Sequence, residues 1–510
     1  MQDLKSNVIE TLRLNTDVEI DENSRQSDAV LSPISQPVLF REVAAHTSGL
    51  QFLMEDLDLR SPMGRRYLLD SKLMCCEKEI SAELNFIDQL EQALELNSDL
   101  ISKIQSKLSH LRDIRGSVNN LIGNLVLDDV ELFEIKLFAL LAQEIVELQK
   151  EGKQSFLEIS DLSQLIRLLD PQNTKIPSFY IYDNYSEELA EARKELKLAK
   201  SKNGESDLDI EVLFAKMQEI EANVREELCT KISQFGGLLA NALNQLAHLD
   251  LLIAKAVQAK KWDFSKAETS EGETSYTGMF NPMIKNELAN QNKEYQAIDI
   301  DLERSVCLIT GANMAGKTVV LKTLALCQYL FQFGFFVPAT SAQISIVDKV
   351  MISVGDEQSE LNGLSSFASE MLNVSRMVKD SKNQNNVLIL IDELARTTNP
   401  VEGLAIVNAV ADIFYQGKIR SVITTHYSGL KYKFRKLRVK GLDKDLGANV
   451  ITYKNINSYM DYSLVEDLEG EVPHEALRIA SLLGIDKEII ERAQNHLNEE
   501  TSKENTFIKG

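Results

Sequence analysis

Residues 311–318 read GANMAGKT and decide the fold of this 510-residue chain. They match the pattern G-x-x-x-x-G-K-[ST], in which the glycines let the backbone wrap a polyphosphate with its N–H groups turned inward. An apolar, β-branched run precedes the stretch at residues 305–310 (SVCLIT), and a helical pattern follows it at residues 319–330. A strand, a glycine-rich loop and a helix in this order predict a phosphate-binding loop at a helix N-terminus.

Two side chains of this loop carry distinct chemistry. Lys317 supplies a positive charge for the β- and γ-phosphates of a nucleotide, and the Thr318 hydroxyl is a ligand for Mg²⁺. The loop therefore predicts ATP and Mg²⁺ as cofactors. The residues predicted to bind the nucleotide are Gly311, Ala312, Asn313, Met314, Ala315, Gly316, Lys317 and Thr318.

Length, composition and charge limit the class of protein. A chain of 510 residues exceeds what one hydrophobic core organises, so we expect two or three domains. No apolar run reaches the roughly 20 residues that span a bilayer, and the N-terminus has no signal-peptide pattern, so we expect a cytoplasmic protein without a membrane partner. The net charge of −22 disfavours DNA binding, although a local basic patch is compatible with it.

The pattern along the chain predicts four parts. Residues 1–41 form a polar extension, and residues 42–268 have helical periodicity. This part includes two long helices, at residues 186–196 and 210–259, separated by the short polar stretch 199–209. Helical patterns alternate in residues 269–500 with apolar runs at 305–310, 342–347, 350–354, 387–391 and 421–425, as in a parallel α/β sheet. Residues 501–510 are a polar tail. The predicted fold is multidomain: an all-α region followed by a C-terminal α/β P-loop NTPase domain.

A second apolar run, at residues 387–391, ends in Asp392 and Glu393. Asp392 suits Mg²⁺ binding, and Glu393 suits the general base that polarises the attacking water. A carboxylate pair after a strand also occurs where the acid only caps a helix. The next strand pattern is followed by His426, which is placed to sense the γ-phosphate or hold the water, although a single histidine is more often structural.

Four segments resemble, in order and spacing, the ATPase domain of the MutS family of ABC-type NTPases. They are TGANMAGKT, DEQSELNGLSSFASEM, LILIDELARTTNPVEGLAIVNAV and TTHYSGL. The resemblance continues at residues 462–464 and 476–497, and more weakly at residues 57–69 and 176–193, where the family has its helical core and lever. It implies an ATP-hydrolysing domain that dimerises, as a homodimer or a heterodimer, behind a core and lever region.

The resemblance also implies roles for single residues. Asn313 and Lys317 would contact the γ-phosphate, Thr318 and Asp392 would bind Mg²⁺, and Glu393 would act as the base.

Two further residues are implied by position. Ser365 resembles the signature serine that such ATPases present to the nucleotide of the opposite subunit; its alternative role, a helix N-cap, is compatible with this one. Tyr295 stands where the family keeps an aromatic residue that stacks on adenine.

The chain departs from the mismatch-repair members of that family in the parts that grip DNA. About forty residues stand where their mismatch-reading and connector domains would be, and the short stretch 199–209 replaces the clamp between the lever helices. In the loop after Glu393, Ala395 and Thr397 occupy positions where glycines are expected, and GEVPHEAL replaces the Ser-Tyr-Gly stretch near the C-terminus.

Three hypotheses for the function follow. The first is a dimeric ATP-driven switch that acts on a protein client, because the layout resembles the MutS-like ATPases linked to reactivation of cobalamin-dependent lysine or ornithine aminomutases. The alternative is a DNA mismatch repair or recombination ATPase that binds distorted or branched DNA. The third is a nucleotide-binding structural subunit with little turnover, which the set Lys317, Asp392, Glu393 and His426 disfavours. The first hypothesis is preferred on sequence grounds.

Overall fold

A computed structural model gives the fold of most of the chain. The described residues are 37–152, 156–176, 178–201, 207–303, 305–311, 316–354, 366–383, 386–427, 429–430, 434–442, 459–467, 475–482 and 484–507. Among them, no helix is both long and apolar enough to cross a membrane.

The described residues fall into two compact units, each assembled from separate segments. The helical unit contains Leu59–Asp70 and Gln92–Ala254, and the sheet unit contains Leu39–Asp58, Ser71–Glu91 and the chain from Lys255 onward. The domain boundaries expected after residues 41, 268 and 500 would instead divide the chain into contiguous domains, and they stay a prediction.

The helices and strands alternate in the second half of the chain. The helices are α1 (Phe40–His46), α2 (Ser48–Asp56), α3 (Pro62–Leu69), α4 (Glu77–Leu96), α5 (Ser98–Leu108), α6 (Arg115–Ile122), α7 (Asp129–Glu151), α8 (Ser163–Leu169), α9 (Glu187–Ser201), α10 (Asp207–Ser233), α11 (Gly236–Trp262), α12 (Pro282–Asn290), α13 (Lys317–Gln332), α14 (Ser366–Asn383), α15 (Pro400–Gln416), α16 (Glu475–Leu482) and α17 (Lys487–Phe507). The strands are β1 (Glu268–Ser270), β2 (Thr274–Met279), β3 (Ile298–Leu302), β4 (Val306–Thr310), β5 (Ser341–Ser345), β6 (Lys349–Ser353), β7 (Val387–Ile391), β8 (Arg420–Thr424), β9 (Arg435–Leu442) and β10 (Met460–Glu466).

The helical unit contains the predicted helical hairpin, formed by α9 and α10. Leu189 and Leu196 are buried on α9, as are Met217 and Ile220 on α10, and Arg193 pairs with Glu221 across the two helices at 2.9 Å. The single long helix expected over residues 210–259 is wrong. The chain leaves α10 after Ser233 and starts α11 at Gly236, because two consecutive glycines are poor helix-interior residues and mark a break.

The sheet unit contains two sheets. In the larger one the strand order is β10-β9-β4-β8-β7-β6, with every neighbouring pair parallel except β9 and β10. The smaller sheet has the order β1-β5-β2-β3. The helical region followed by an α/β domain is thus confirmed, but the expected all-parallel sheet is mixed. The strand expected at residues 342–347 belongs to the smaller sheet as β5, where it pairs antiparallel with β2.

The three central strands explain where a site forms. Every residue of β4, β7 and β8 is buried, as expected for parallel strands covered on both faces. Because the strands are parallel and adjacent, their carboxyl ends meet at one edge, which is where ligands bind in such sheets. The segments that leave this edge are the phosphate loop, the Asp392–Glu393 pair and the segment containing His426.

Buried amides fix helix α13, which starts at the phosphate loop. Gln332 is fully buried and donates hydrogen bonds to the carbonyls of Met74 and Val347, both at 2.8 Å. Gln328 donates to the Ser345 carbonyl at 3.0 Å and to the Gln332 side chain at 2.7 Å. Because buried polar groups are costly unless satisfied, this network holds α13 in one position relative to β5.

Candidate nucleotide-binding site

The phosphate loop runs from the end of β4 to the start of α13, and glycines stand at both of its ends. Gly311 has φ 144° and Gly316 has φ 76°, both in the region that favours glycine. A Cβ atom on Gly316 would also lie 3.2 Å from the ring of Tyr462. The four residues between these glycines, Ala312, Asn313, Met314 and Ala315, lie outside the described residues, so their predicted contacts stay a prediction.

The side chain of Lys317 is buried at the opening of the loop. Its Nζ donates a hydrogen bond to the Gly311 carbonyl at 2.7 Å and lies 3.8 Å from Oε1 of Glu393. Burial lowers the pKa of Lys317, and the carboxylates of Glu393 and Asp392 oppose this effect. The predicted phosphate-binding cation and the predicted base are therefore neighbours.

Asp392 is held by a hydroxyl on each side. Thr318 Oγ1 donates to Oδ2 of Asp392 and Thr424 Oγ1 donates to Oδ1, each at 2.6 Å. The Thr318 hydroxyl and the Asp392 carboxylate thus lie side by side, and oxygen ligands of this kind fit Mg²⁺. Sequence reasoning missed Thr424. Its signal is a hydroxyl at the end of the strand next to the one that ends in Asp392.

Glu393 is placed by its backbone and by two cations. Its N–H donates to Thr424 Oγ1 at 2.8 Å, and its φ of 47° is left-handed. Its carboxylate accepts a hydrogen bond from Arg396 Nη1 at 3.0 Å, besides the proximity to Lys317. Sequence reasoning also missed Arg396, whose only signal is its position three residues after the predicted base.

His426 lies at the same sheet edge, just after β8, and its ring lies beside that of Tyr427, with the centroids 4.3 Å apart. Burial lowers the pKa of His426; Glu393 raises it, and Lys317 and Arg396 lower it further. The effect of Glu393 reflects the short distance between the imidazole and the predicted base. On balance the pKa of His426 is lowered, which favours the neutral ring.

Two tyrosines come from adjoining segments near the loop. The hydroxyl of Tyr295 accepts a hydrogen bond from the Asn281 N–H at 3.1 Å, and burial raises its pKa. The next residue, Gln296, accepts a hydrogen bond from the Tyr462 N–H at 2.9 Å. The ring of Tyr462 faces Gly316, a contact that the sequence alone did not reveal. The adenine-stacking role of Tyr295 stays a prediction.

Ser365 lies outside the described residues, and α14 begins at the next residue, Ser366. Its predicted position at a helix N-terminus is compatible with this start, and its role stays a prediction.

The loop after Glu393 shows how alanine is accommodated at position 395, where the MutS pattern has glycine. Ala395 has φ 61°, a left-handed conformation that costs a non-glycine residue about 1–2 kcal/mol. A glycine would adopt it without this cost, which is why glycine was expected there. In this chain the Ala395 N–H donates to Oε1 of Glu370 at 2.7 Å, and its carbonyl accepts from the Tyr427 hydroxyl at 2.7 Å.

Comparison with known proteins places the site within a described domain family. Residues 307–500 match the family model described as MutS domain V. The chain is similar to the protein named endonuclease MutS2 of Geobacillus sp. (strain WCH70), with 30% identity over 301 residues, covering 58% of this chain and 36% of the relative. It is also similar to endonuclease MutS2 of Geobacillus thermodenitrificans (strain NG80-2), with 32% identity over 294 residues, covering 57% and 36%.

A third relative, endonuclease MutS2 of Fusobacterium nucleatum subsp. nucleatum, is 30% identical over 312 residues, covering 59% of this chain and 38% of the relative. The matches therefore span little more than a third of the length of these curated relatives. The domain match covers the larger sheet, the described part of the phosphate loop, Asp392, Glu393 and His426. The comparisons thus show that residues 307–500 match MutS domain V and that the chain is similar to proteins named MutS2 over part of its length.

Proposed function

We propose that this chain is a cytoplasmic, Mg²⁺-dependent ATPase in which ATP binding and hydrolysis switch the conformation of a dimer. The observation that carries the proposal is the cluster at the edge of the larger sheet. There Asp392 accepts hydrogen bonds from Thr318 and Thr424 at 2.6 Å, and Glu393 lies 3.8 Å from Lys317. A cation, a metal-binding oxygen pair and a base at the end of one sheet are the parts that phosphoryl transfer to water requires.

Each side chain has one task in the proposed reaction. Lys317 offsets the negative charge of the phosphates, and Thr318 with Asp392 would hold Mg²⁺, which neutralises charge on the phosphate oxygens when bound. Glu393 accepts a proton from the attacking water while the water oxygen bonds to the γ-phosphorus. The bond between the γ-phosphorus and the β,γ-bridging oxygen breaks in the same step. His426, as a neutral imidazole, accepts a hydrogen bond and keeps the water in line.

DNA is the client that the relatives favour. The similar proteins are named endonucleases, a name for enzymes that cut nucleic acids. We propose that ATP turnover in this chain is coupled to the binding of distorted or branched DNA. We do not propose DNA cleavage for this chain, because the matches span little more than a third of those proteins.

Three exposed lysines of α9, which stand among Glu191 and Glu195, suit the DNA proposal. Lys194, Lys197 and Lys200 recur every third residue along α9 and are all exposed, so they share one face of that helix. Ammonium groups in this arrangement suit contacts to backbone phosphates.

A protein client is the second candidate. No curated relative reported above supports the aminomutase partner expected from the sequence. The short connection between Ser201 and Asp207 and the net charge of −22 still favour it, because they leave little room and little charge for a DNA clamp at the hairpin.

The dimer is proposed because Ser365 resembles the signature serine and precedes α14 directly. In such ATPases the hydroxyl and the helix N-terminus act on the nucleotide of the opposite subunit. We propose a homodimer or a heterodimer that forms through the sheet unit.

Two variants should distinguish nucleotide binding from ATP hydrolysis. Lys317→Ala should abolish turnover by weakening nucleotide binding, because it removes the phosphate-binding cation. Glu393→Gln should bind ATP but lower kcat by about 10²–10⁴-fold, because it removes the base and keeps the cradle. Steady-state hydrolysis with and without Mg²⁺, together with equilibrium nucleotide binding, measures both. Equal loss of binding in the two variants would contradict the assigned roles.

The acid side of the pH–rate profile should report His426. Because burial lowers its pKa from the ordinary 6.5, the ring is neutral at pH 7 and gains a proton only below pH 6.5, when it stops accepting hydrogen bonds. We expect kcat/KM to hold from pH 7 to 6.5 and to fall below this range. His426→Gln should lower the rate and shift this acid limb; an unchanged limb in the variant would rule out His426 as its source.

Shared sites should complement each other. Ser365→Arg protein and Lys317→Ala protein should each be inactive, while a mixture should recover about a quarter of the wild-type sites, since half of the dimers are mixed and each has one intact site. Hydrolysis by the mixture, with each variant alone as control, is the measurement. Full wild-type activity in a monomer at low protein concentration would refute the shared site.

DNA binding should depend on structure, salt and the lysines of α9. Fluorescence anisotropy should show tighter binding to a four-way junction than to matched duplex. Changing Lys194, Lys197 and Lys200 to Gln should weaken binding and reduce the salt slope by about one per lysine that contacts a phosphate, whereas Lys103→Gln on α5 is the control. Flat curves for all DNAs at ~150 mM salt, with ATP-sensitive co-purification of a cobalamin enzyme, would favour the second candidate.

A further inference from the structure

The turn after β7 has an unusual backbone for non-glycine residues. Glu393 and Ala395 are both left-handed, with φ 47° and 61°, and Leu394 between them is fully buried. Strained backbone of this kind persists only when its surroundings over-determine it, and it clusters at functional sites. The predicted base Glu393 is itself part of the strained turn, so whatever holds the turn also sets the position of its carboxylate.

Ala395 is held from both sides by side chains of other elements. Its N–H donates to Oε1 of Glu370, on α14, and its carbonyl accepts from the hydroxyl of Tyr427, just after β8. Both hydrogen bonds measure 2.7 Å, and Ala395 is fully buried. The two peptide groups that flank the Ala395 Cα are therefore each fixed by a hydrogen bond, which restricts the φ and ψ of this residue.

The neighbouring helix α15 is shaped to admit this contact. Gly403 lies where an added Cβ would overlap the Tyr427 hydroxyl oxygen and lie 3.1 Å from the Ala395 carbonyl. A side chain at this position would push Tyr427 away from Ala395. Three elements, α14, α15 and the segment after β8, therefore converge on one residue, Ala395.

The partners of Ala395 are themselves enclosed. Burial raises the pKa of Glu370, while the Ala395 N–H and Arg396 lower it. Burial also raises the pKa of the Tyr427 hydroxyl, and the nearby Glu370 carboxyl adds to this effect. Tyr427 is therefore a neutral hydroxyl donor, and Glu370 offers a shielded acceptor oxygen to one N–H group.

We propose that Glu370 and Tyr427 are positioning residues that hold Glu393 in its catalytic place by fixing the left-handed backbone conformation of Ala395. The inference rests on the proposed ATPase function and names a regulatory connection within the same site. Glu370 is the fifth residue of α14, the helix that starts directly after Ser365. A shift of this helix when the opposite subunit's nucleotide engages its N-terminus would reach the base through a single hydrogen bond.

The first test separates turnover from binding. Glu370→Ala should lower kcat by about 10- to 100-fold, because a displacement of the base near 1 Å has effects of this size, while nucleotide Kd and KM stay near wild type. Glu370→Gln keeps an acceptor oxygen and should retain most of the rate, and Tyr427→Phe should lower kcat as Glu370→Ala does. Two exposed residues of α15 provide matched controls, Glu402→Ala and Tyr415→Phe, which should leave kcat unchanged.

The second test is rescue by backbone freedom. Glycine adopts the left-handed conformation without steric cost, so Ala395→Gly in the Glu370→Ala background should restore much of the lost kcat. A general loss of packing would not be repaired by removing a methyl group. The proposal is overturned if Glu370→Ala turns over like wild type, if Glu370→Gln loses as much as Glu370→Ala, or if Ala395→Gly restores nothing.

A stability measurement keeps the inference independent of the proposed function. If the wild-type protein hydrolyses no ATP, the proposed function fails, and the hydrogen bond is still tested by thermal unfolding of the four proteins of the Glu370→Ala and Ala395→Gly cycle. We expect Glu370→Ala to lower the melting temperature less in the Ala395→Gly background than in the wild type. Equal decreases in both backgrounds would overturn the positioning role.

Discussion

The constraint on which the site depends is the need to satisfy one carboxylate, Asp392, at the end of a fully buried strand. Thr318 donates to one of its oxygens from α13, and Thr424 donates to the other from the end of β8, each at 2.6 Å. Because charged groups in such positions are costly unless paired, the two hydroxyls and the carboxylate fix the mutual positions of three elements. The same Thr424 oxygen accepts the Glu393 N–H at 2.8 Å, so one hydroxyl holds the predicted base beside Asp392, the predicted Mg²⁺ ligand.

Such a site is unfavourable to build, and the rest of the sheet unit offsets its cost. Burial disfavours the charged form of Lys317, and Glu393 and Ala395 adopt left-handed backbone. The stabilisation comes from α13, which is buried along most of its length, and from Gln332, whose amide is fully buried and hydrogen-bonded. A strained functional edge on a rigid, well-packed helix and sheet is the usual arrangement of a catalytic site.

The sequence predicted the parts of the site that follow a local pattern. Asp392 and His426 follow buried strands, and Lys317 ends the loop that leaves a third. The rule that parallel strands end at one edge predicts that they meet. Glu370 and Thr424 were not identified, because their roles depend on which distant segments become neighbours. For the same reason helical periodicity did not show that Leu39–Asp58 and Ser71–Glu91 belong to the sheet unit, and alternating patterns did not separate β5 from the larger sheet.

The alanine at position 395 changes how the turn is controlled. A glycine there would adopt φ 61° by itself, and the position of the base would then be a property of the turn alone. With alanine the same conformation is unfavourable in isolation and is maintained by hydrogen bonds from Glu370 and Tyr427. The position of the predicted base, Glu393, then depends on the positions of α14 and of the segment after β8. A switch requires an element with two arrangements that a ligand can bias. Under the proposed function, the hydrogen bonds from Glu370 and Tyr427 are the contacts through which a ligand would bias this turn.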